Sequence, residues 1–323
     1  MGMQASAIAH PNIALIKYWG NRNEALRLPL SGSLSLNLSG LETRTSVRFD
    51  TVLRQDEFLL DEKRQTGPAW DRVSAFLDIV RDLAGMDLPA RVESSNNFPA
   101  GAGIASSASA FAALALAAST AAGLELSEAE LSALARRGSG SASRSIPHGF
   151  VEWLPGADDA SSYAVSIAPA DYWDLRDLIV VLEAGHKQTG STEGHAQAHS
   201  SPLNALRLAG VNERLGECRA AILARDFERL APVVEADSEW MHAVMRTSDP
   251  ALRYWTKETE ILLWTLRHWR AQGRAVCGTV DAGPNVHVIC LEAEADWLLK
   301  EFKGMPFVQS VFMAEPASGV RLF

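Results

Sequence analysis

Residues able to hold an anion and move a proton fall in four short stretches of this chain. The first is Asn97-Phe98-Pro99-Ala100-Gly101-Ala102-Gly103-Ile104-Ala105-Ser106-Ser107. It leads straight into an Ala-rich run expected to be helical. Small residues let the backbone approach a ligand closely. The N–H groups that open a helix lack partners within it, and the helix dipole adds partial positive charge there. The stretch therefore reads as a phosphate-binding turn, with Asn97, Pro99, Gly101, Gly103, Ser106 and Ser107 as its nucleotide-binding members. The Ser106 and Ser107 hydroxyls would meet phosphate, and Ser106 also a Mg²⁺ ion. This is not a Walker turn, which ends in Gly-Lys-Ser/Thr. Nor is it a dinucleotide fingerprint with an acid about 20 residues on. The expectation is an enzyme that uses a nucleotide.

The second stretch is Arg136-Arg137-Gly138-Ser139-Gly140-Ser141-Ala142-Ser143-Arg144-Ser145. Serine hydroxyls and loop N–H groups make an anion nest, and Arg144 offers a planar fork suited to carboxylate or phosphate. The third, Thr279-Val280-Asp281-Ala282-Gly283-Pro284-Asn285, sets an acid at the end of an apolar strand. Asp281 is either a turn cap or a carboxylate aimed into a cleft. Beside two anion-binding stretches the second reading fits better. The fourth runs from Asn12 to Gly20 and places Lys17, Tyr18 and Trp19 in an apolar setting. Lys17 can pair with an acid and bias its charge state, or snorkel out of a buried strand.

The bulk composition narrows the class. The chain has 323 residues, 47% hydrophobic and 21% charged, and a formal net charge of −9. It is long enough to bury a core without staples. The negative balance argues against a nucleic-acid partner, so an anionic substrate must be met by local cations and N–H groups. Cys218, Cys277 and Cys290 are too few and scattered for a disulfide framework and suit a reducing compartment. No apolar run has the length of a membrane span, and Met1 to His10 lacks the regions of a signal peptide. The reading is a cytoplasmic protein with no membrane partner. Its eight histidines show no zinc spacing.

Elements that could position these residues follow from periodicity. Short strands are expected at 6–9, 44–49, 57–60 and 90–93. A helix over 70–83 follows from the spacing of Val73, Phe76, Leu77 and Val80. The run 105–122 is apolar all round and predicts a buried helix. Ser127 with Glu130 forms a capping box for the next. A strand is expected over 148–154 and another over 178–183. Helices at 204–224, 227–245 and 257–271 follow, then strands at 275–280 and 286–291 around Asp281. A helix over 293–302 and two strands close the chain. The interleaving is not regular βαβ, which favours α+β with two lobes.

Together the four stretches resemble the mevalonate diphosphate decarboxylase family of the GHMP kinase superfamily. Asn12 to Gly20 is similar to the family's N-terminal signature, and Ser33-Leu34-Ser35 to the serine-rich strand after it. Asn97 to Ala108 is similar to its nucleotide loop. Arg137 to Ser145 with Gly149-Phe150-Val151-Glu152-Trp153 resembles its Gly-Ser signature, and Val280 to Asn285 its Asp-Ala-Gly-Pro-Asn turn. The resemblance implies a two-lobed GHMP kinase fold: an N-terminal β-rich nucleotide-binding lobe over 1–183 and a C-terminal α/β lobe over 184–323. It implies ATP and Mg²⁺ as cofactors, a phosphorylated mevalonate as substrate, a place in isoprenoid biosynthesis, and a homodimer. In such an enzyme Asp281 would orient or deprotonate the C3 hydroxyl, and Lys17 would keep Asp281 ionised. Arg144 would bind the substrate carboxylate, with Arg72 assisting. Tyr18, Trp19, Asn21, Ser139, Ser141 and Ser191 would line the substrate.

Two departures bear on the substrate. The family reads Lys-Tyr-Trp-Gly-Lys where this chain has Asn21, and Thr192 stands where a second-lobe arginine is expected, beside Glu193. Each lost charge-assisted hydrogen bond costs about 1.5–3 kcal/mol. The expectation is therefore a decarboxylase of 5-phosphomevalonate yielding isopentenyl phosphate. The alternative is the diphosphomevalonate decarboxylase, with His186, Lys187 or His195 restoring a cation. A kinase that stops at phosphorylation and a non-catalytic ligand-binding protein are the remaining readings.

Overall fold

The computed structural model describes residues 3–98, 106–182 and 190–323, without the side chains of 191–193. The chain begins with strands β1 (Gln4–Ala9), β2 (Asn12–Ile16), β3 (Asn21–Asn23), β4 (Leu28–Pro29), β5 (Ser33–Asn37), β6 (Thr43–Phe49), β7 (Glu57–Leu60) and β8 (Lys63–Arg64). Then come α1 (Pro68–Ala84), β9 (Ala90–Asn96), α2 (Ser106–Ala121), α3 (Glu128–Gly138), a 3-10 turn (Gly140–Ser145), β10 (Phe150–Trp153), β11 (Ala164–Ala168) and β12 (Leu175–Val181). The remainder comprises α4 (Ser191–Gln197), α5 (Asn204–Ala224), α6 (Phe227–Thr247), α7 (Lys257–Ala271), β13 (Val276–Thr279), β14 (Val286–Leu291), α8 (Glu292–Lys303), β15 (Ser310–Ala314) and β16 (Arg321–Leu322).

The first lobe is built on a six-stranded sheet in the order β16-β1-β6-β9-β7-β8, antiparallel except where β7 runs parallel to β9. Helix α1 turns Val73, Phe76, Leu77 and Val80 inward, as their spacing predicts. Helix α2 is buried on nearly every side, because its small residues let it lie close against β1 and β6. Ser127 and Glu130 form the expected reciprocal cap at the start of α3. Burying each large side chain of this core contributes about 1.5–3 kcal/mol.

A second sheet, β11-β10-β5-β2, and a third, β13-β14-β12-β15, enclose α5 and α6. Ile13, Leu34, Leu36 and Phe150 from the second sheet meet Val211, Leu215, Leu230 and Val234 of the helices, which in turn meet Ile179, Cys277 and Ile289 of the third. The lobes thus share one continuous core. Helices α7 and α8 cover the outer face of the third sheet.

Strand pairing crosses the expected division at 183/184 in both directions. Strand β12 lies before it, yet pairs with β14 and β15 of the third sheet. Strand β16 lies after it, yet pairs with β1 of the first. The three cysteines are free and buried. Among the described residues no helix is long and apolar enough to cross a membrane.

Candidate active site

Two strand ends bring the first pair of residues together. Lys17 follows β2 and Asp281 follows β13. Lys17 Nζ donates to Asp281 Oδ1 at 2.5 Å, with the lysine side chain 1% exposed and the aspartate 26%. The lysine is thus committed to the pair, and the carboxylate keeps a face open. Burial pushes the Asp281 carboxyl up, but the Lys17 charge, then His287, the Lys17 hydrogen bond and Arg144 outweigh it, leaving it below the ordinary aspartate value. An ionised, partly open carboxylate beside a buried ammonium can accept a hydrogen bond from an alcohol and draw its proton.

Arg144 is buried in the 3-10 turn. Its Nη1 donates to Ser33 Oγ at 2.6 Å, and its Nε and Nη2 donate to Asn12 Oδ1 at 3.3 and 3.2 Å. Asn12 is fixed in turn through its Nδ2, which donates to Ser141 O and Ser145 Oγ at 3.0 and 2.8 Å. Desolvation brings the guanidinium down to about 10, so it stays charged at neutral pH. Among the described residues no carboxylate pairs with it, and its charge is available to an anion. Its electrostatic influence extends to Asp281.

A row of hydroxyls adjoins these charges. Ser139 Oγ lies 3.3 Å from both Ser107 Oγ and Ser141 Oγ. The start of α2 therefore meets the end of α3, and α2 carries no acid in its first turn. That donor set suits a polyphosphate. Among the described residues no group of three or more His, Cys, Asp or Glu could hold a metal ion. A Mg²⁺ ion would come with its nucleotide, and the Ser106 hydroxyl could serve as a protein ligand. Pro99, Gly101 and Gly103 lie outside the described residues, as does the side chain of Ser191. Asn97, expected at the nucleotide, lies directly after β9. Its amide is taken by backbone, donating to Gly40 O at 3.0 Å and accepting from Glu42 N at 2.8 Å.

The aromatic pair after Lys17 forms a wall. The Tyr18 ring lies 4.7 Å from Trp153 and 4.1 Å from His195. A side chain at position 140 would come within 2.5 Å of it, so Gly140 is required for this contact. Tyr18 donates its hydroxyl to Asn21 Oδ1 at 2.5 Å, and Asn21 donates to Glu24 Oε2 at 2.8 Å. Trp19, expected to touch substrate, is 2% exposed and packs among Ala198, Met241 and Leu252. His195 stands beside Tyr18 and Trp19, its Nδ1 accepting from the Gly20 N–H at 2.9 Å. Desolvation, with the charges of Arg27, Arg207 and Arg144, brings His195 down to about 3. It is neutral at pH 7 and restores no cation. His186 and Lys187 lie outside the described residues. Arg72 donates Nη2 to Gly138 O at 3.2 Å and lies over the Phe111 ring at 4.9 Å.

Helix α6 supplies residues that the motifs did not indicate. Asp237 accepts from the Lys17 N–H at 2.6 Å, while Arg207 donates to Lys17 O at 2.7 Å. Ser238 Oγ accepts from the Val280 N–H at 3.1 Å, and His242 Nε2 lies 3.1 Å from Val280 O. The signal available was a set of polar residues, Glu235, Asp237, Ser238 and His242, on a helix face otherwise made of Leu230, Ala231, Val234 and Met241.

Comparison with known proteins adds the family. Residues 9–164 match the diphosphomevalonate decarboxylase-like N-terminal domain, and residues 177–315 the mevalonate 5-diphosphate decarboxylase C-terminal domain. A curated relative, the diphosphomevalonate decarboxylase mvd1 of Aspergillus fumigatus, is 38% identical over 315 residues, 91% of this chain and 78% of that one. The crystal structure of mevalonate diphosphate decarboxylase from Staphylococcus aureus superposes with a TM-score of 0.96 at 37% identity, over 100% of this chain and 98% of the other. The enzyme MDDEF, solved with MVAPP, AMPPCP and magnesium, gives 0.94 at 39% identity over 99% and 98%.

Proposed function

This chain belongs to the diphosphomevalonate decarboxylase family, and we propose that it converts mevalonate diphosphate, ATP-dependently, to isopentenyl diphosphate, ADP, phosphate and CO₂. The expected preference for 5-phosphomevalonate is not supported by the comparisons: the relatives and the solved complex carry the diphosphate in their names. The observation that carries the reading is the buried Lys17–Asp281 pair with its open carboxylate face. ATP with Mg²⁺ supplies the phosphoryl group and makes the C3 oxygen a leaving group.

The chain's own residues do the rest. Asp281 accepts the C3 hydroxyl hydrogen and takes the proton as that oxygen is phosphorylated, while Lys17 holds the carboxylate ionised. Arg144 binds the substrate carboxylate and keeps it beside the reacting carbon until CO₂ leaves. As phosphate departs, positive charge develops at C3; the bond from C2 to the carboxylate carbon breaks, CO₂ leaves, and that bond's electron pair forms the C2–C3 double bond. Ser139 and Ser141 hold substrate oxygens, and Ser106, Ser107 and the opening of α2 hold the polyphosphate. The homodimer and the cytoplasmic placement belong to the same proposal; sedimentation checks the first.

A second reading keeps the monophosphate as substrate. It is favoured by Asn21, neutral and already bonded to Tyr18 and Glu24, and by the neutral His195. The test is kinetic comparison with both phosphorylated mevalonates, with products identified by mass spectrometry. A higher kcat/KM for the diphosphate supports the main reading and a higher value for the monophosphate the second. ADP formed without CO₂ rejects both.

A further inference from the structure

The cations around the site differ in what already occupies them. Lys17 is paired with Asp281, Arg136 and Arg137 with Asp159, and Arg214 with Asp237. Arg207 is spent on the carbonyls of Lys17 and Trp19. Arg22 sets its terminal nitrogens on the carbonyls of Pro29, Pro155 and Gly156. Arg27 is different. Among the described residues its side chain makes one hydrogen bond, from Nε to Arg137 O at 3.1 Å, and no carboxylate lies within ion-pair distance.

Arg72 is its counterpart. It donates to the very next carbonyl, that of Gly138, and it too has no carboxylate partner among the described residues. Two guanidinium groups therefore converge on consecutive carbonyls at the C-terminal end of α3, just ahead of Ser139 and Ser141. The helix terminus relieves part of their mutual repulsion. Desolvation and the Arg27 charge both pull the Arg72 guanidinium below its ordinary value. The Arg27 charge is also felt at Tyr18 and His195.

The backbone supports the placement. Arg27 sits at φ 48°, in the left-handed region that costs a residue bearing a Cβ. The turn is closed by the Arg27 N–H donating to Glu24 O at 3.2 Å. A strained turn thus holds an unpaired cation where Asn21 offers none.

We infer that Arg27, with Arg72 beside it, binds the terminal phosphate of the substrate and supplies the cation that position 21 lacks. The inference rests on the proposed reaction and names the residue that recognises the phosphate monoester or diphosphate tail. Two oxygens of such a group can be met by the free Nη atoms of one guanidinium in parallel.

The test is steady-state kinetics of the full chain carrying Arg27→Gly or Arg27→Lys. The glycine variant removes the cation and also relieves the backbone, which guards against loss of folding. Expected for Arg27→Gly is a rise in KM of at least about tenfold for the tailed substrate, with kcat within about threefold and the KM for ATP unchanged. Arg27→Lys should recover part of the loss. A larger rise for the diphosphate than for the monophosphate supports the contact with the terminal phosphate, and an equal rise, which would put Arg27 on the phosphate joined to C5 in both substrates, overturns it. Unchanged KM for both substrates, or a matching rise in the KM for ATP, overturns the inference. A wild-type chain that decarboxylates neither substrate fails the proposed function instead, so the two failures are distinguishable.

Discussion

Asp237, a fully buried carboxylate on α6, receives a 2.6 Å hydrogen bond from the backbone N–H of Lys17, a residue 220 positions away in sequence. The next residue, Ser238, bonds the peptide of Val280, immediately before Asp281. One helix turn therefore grips both peptides that carry the ion pair. Asp237 and Ser238 thereby set the distance between Lys17 and Asp281, the two groups to which the proposed reaction gives the proton transfer.

Loosening that grip should lower kcat more than it changes substrate binding. Ser238→Ala is expected to lower kcat roughly tenfold, because small misplacement of reacting groups is costly, with KM nearly constant and Ser238→Thr restoring most of the rate. Kinetics on the two variants check this. A fall in melting temperature with unaltered kcat would leave Ser238 a merely structural residue.

The ion pair makes a signed prediction in pH. Asp281 is held below its unfolded value, so its stabilisation is present above pH about 4 and is lost as pH falls through the lower folded value. Lys17→Met removes the leading opposing charge and leaves the burial penalty. The acid limb of the kcat profile should then move to higher pH. A profile measured on the variant that keeps the wild-type limb would exclude Lys17 as the group that ionises Asp281.

Gly140 is close-packed against Tyr18, where an added Cβ would lie 2.5 Å from the ring. Gly140→Ala should cost about 1–3 kcal/mol through overpacking and raise the KM for the mevalonate substrate as Tyr18 moves. Gly216 in α5 has nothing within 4 Å of such a Cβ, so Gly216→Ala should gain about 0.5–1 kcal/mol. Denaturant titration of the two variants gives the contrast.

His242 and His195 are each brought down to about 3, with burial the largest cause. The unfolded chain protonates them near pH 6.5 and the folded chain does not. Stability is therefore complete above that value and falls as pH drops through the window, by at most about 1.4 kcal/mol per unit per site. The urea midpoint should be lower at pH 5 than at pH 7. His242→Gln, which keeps a donor for Val280 O, should flatten the slope, and an unaltered slope would assign the acid sensitivity elsewhere.

Much of this protein was legible in its order of residues. The periodicity of Val73, Phe76, Leu77 and Val80 dictates an inward helix face, and Ser127 and Glu130 a helix start, because each depends on neighbours within a few residues. The family resemblance likewise rested on local motifs. What only the tertiary structure decided lies between distant segments. Lys17 meets Asp281 across 264 residues, and Arg144 is held by Asn12 and Ser33 from two other strands. Asp237 braces the Lys17 peptide, His195 is a neutral wall rather than a cation, and Asn97 is tied to the backbone of Gly40 and Glu42. Charge state and free hydrogen-bonding capacity depend on desolvation and on which partners are already taken. Those are properties of packing, and no local pattern encodes them.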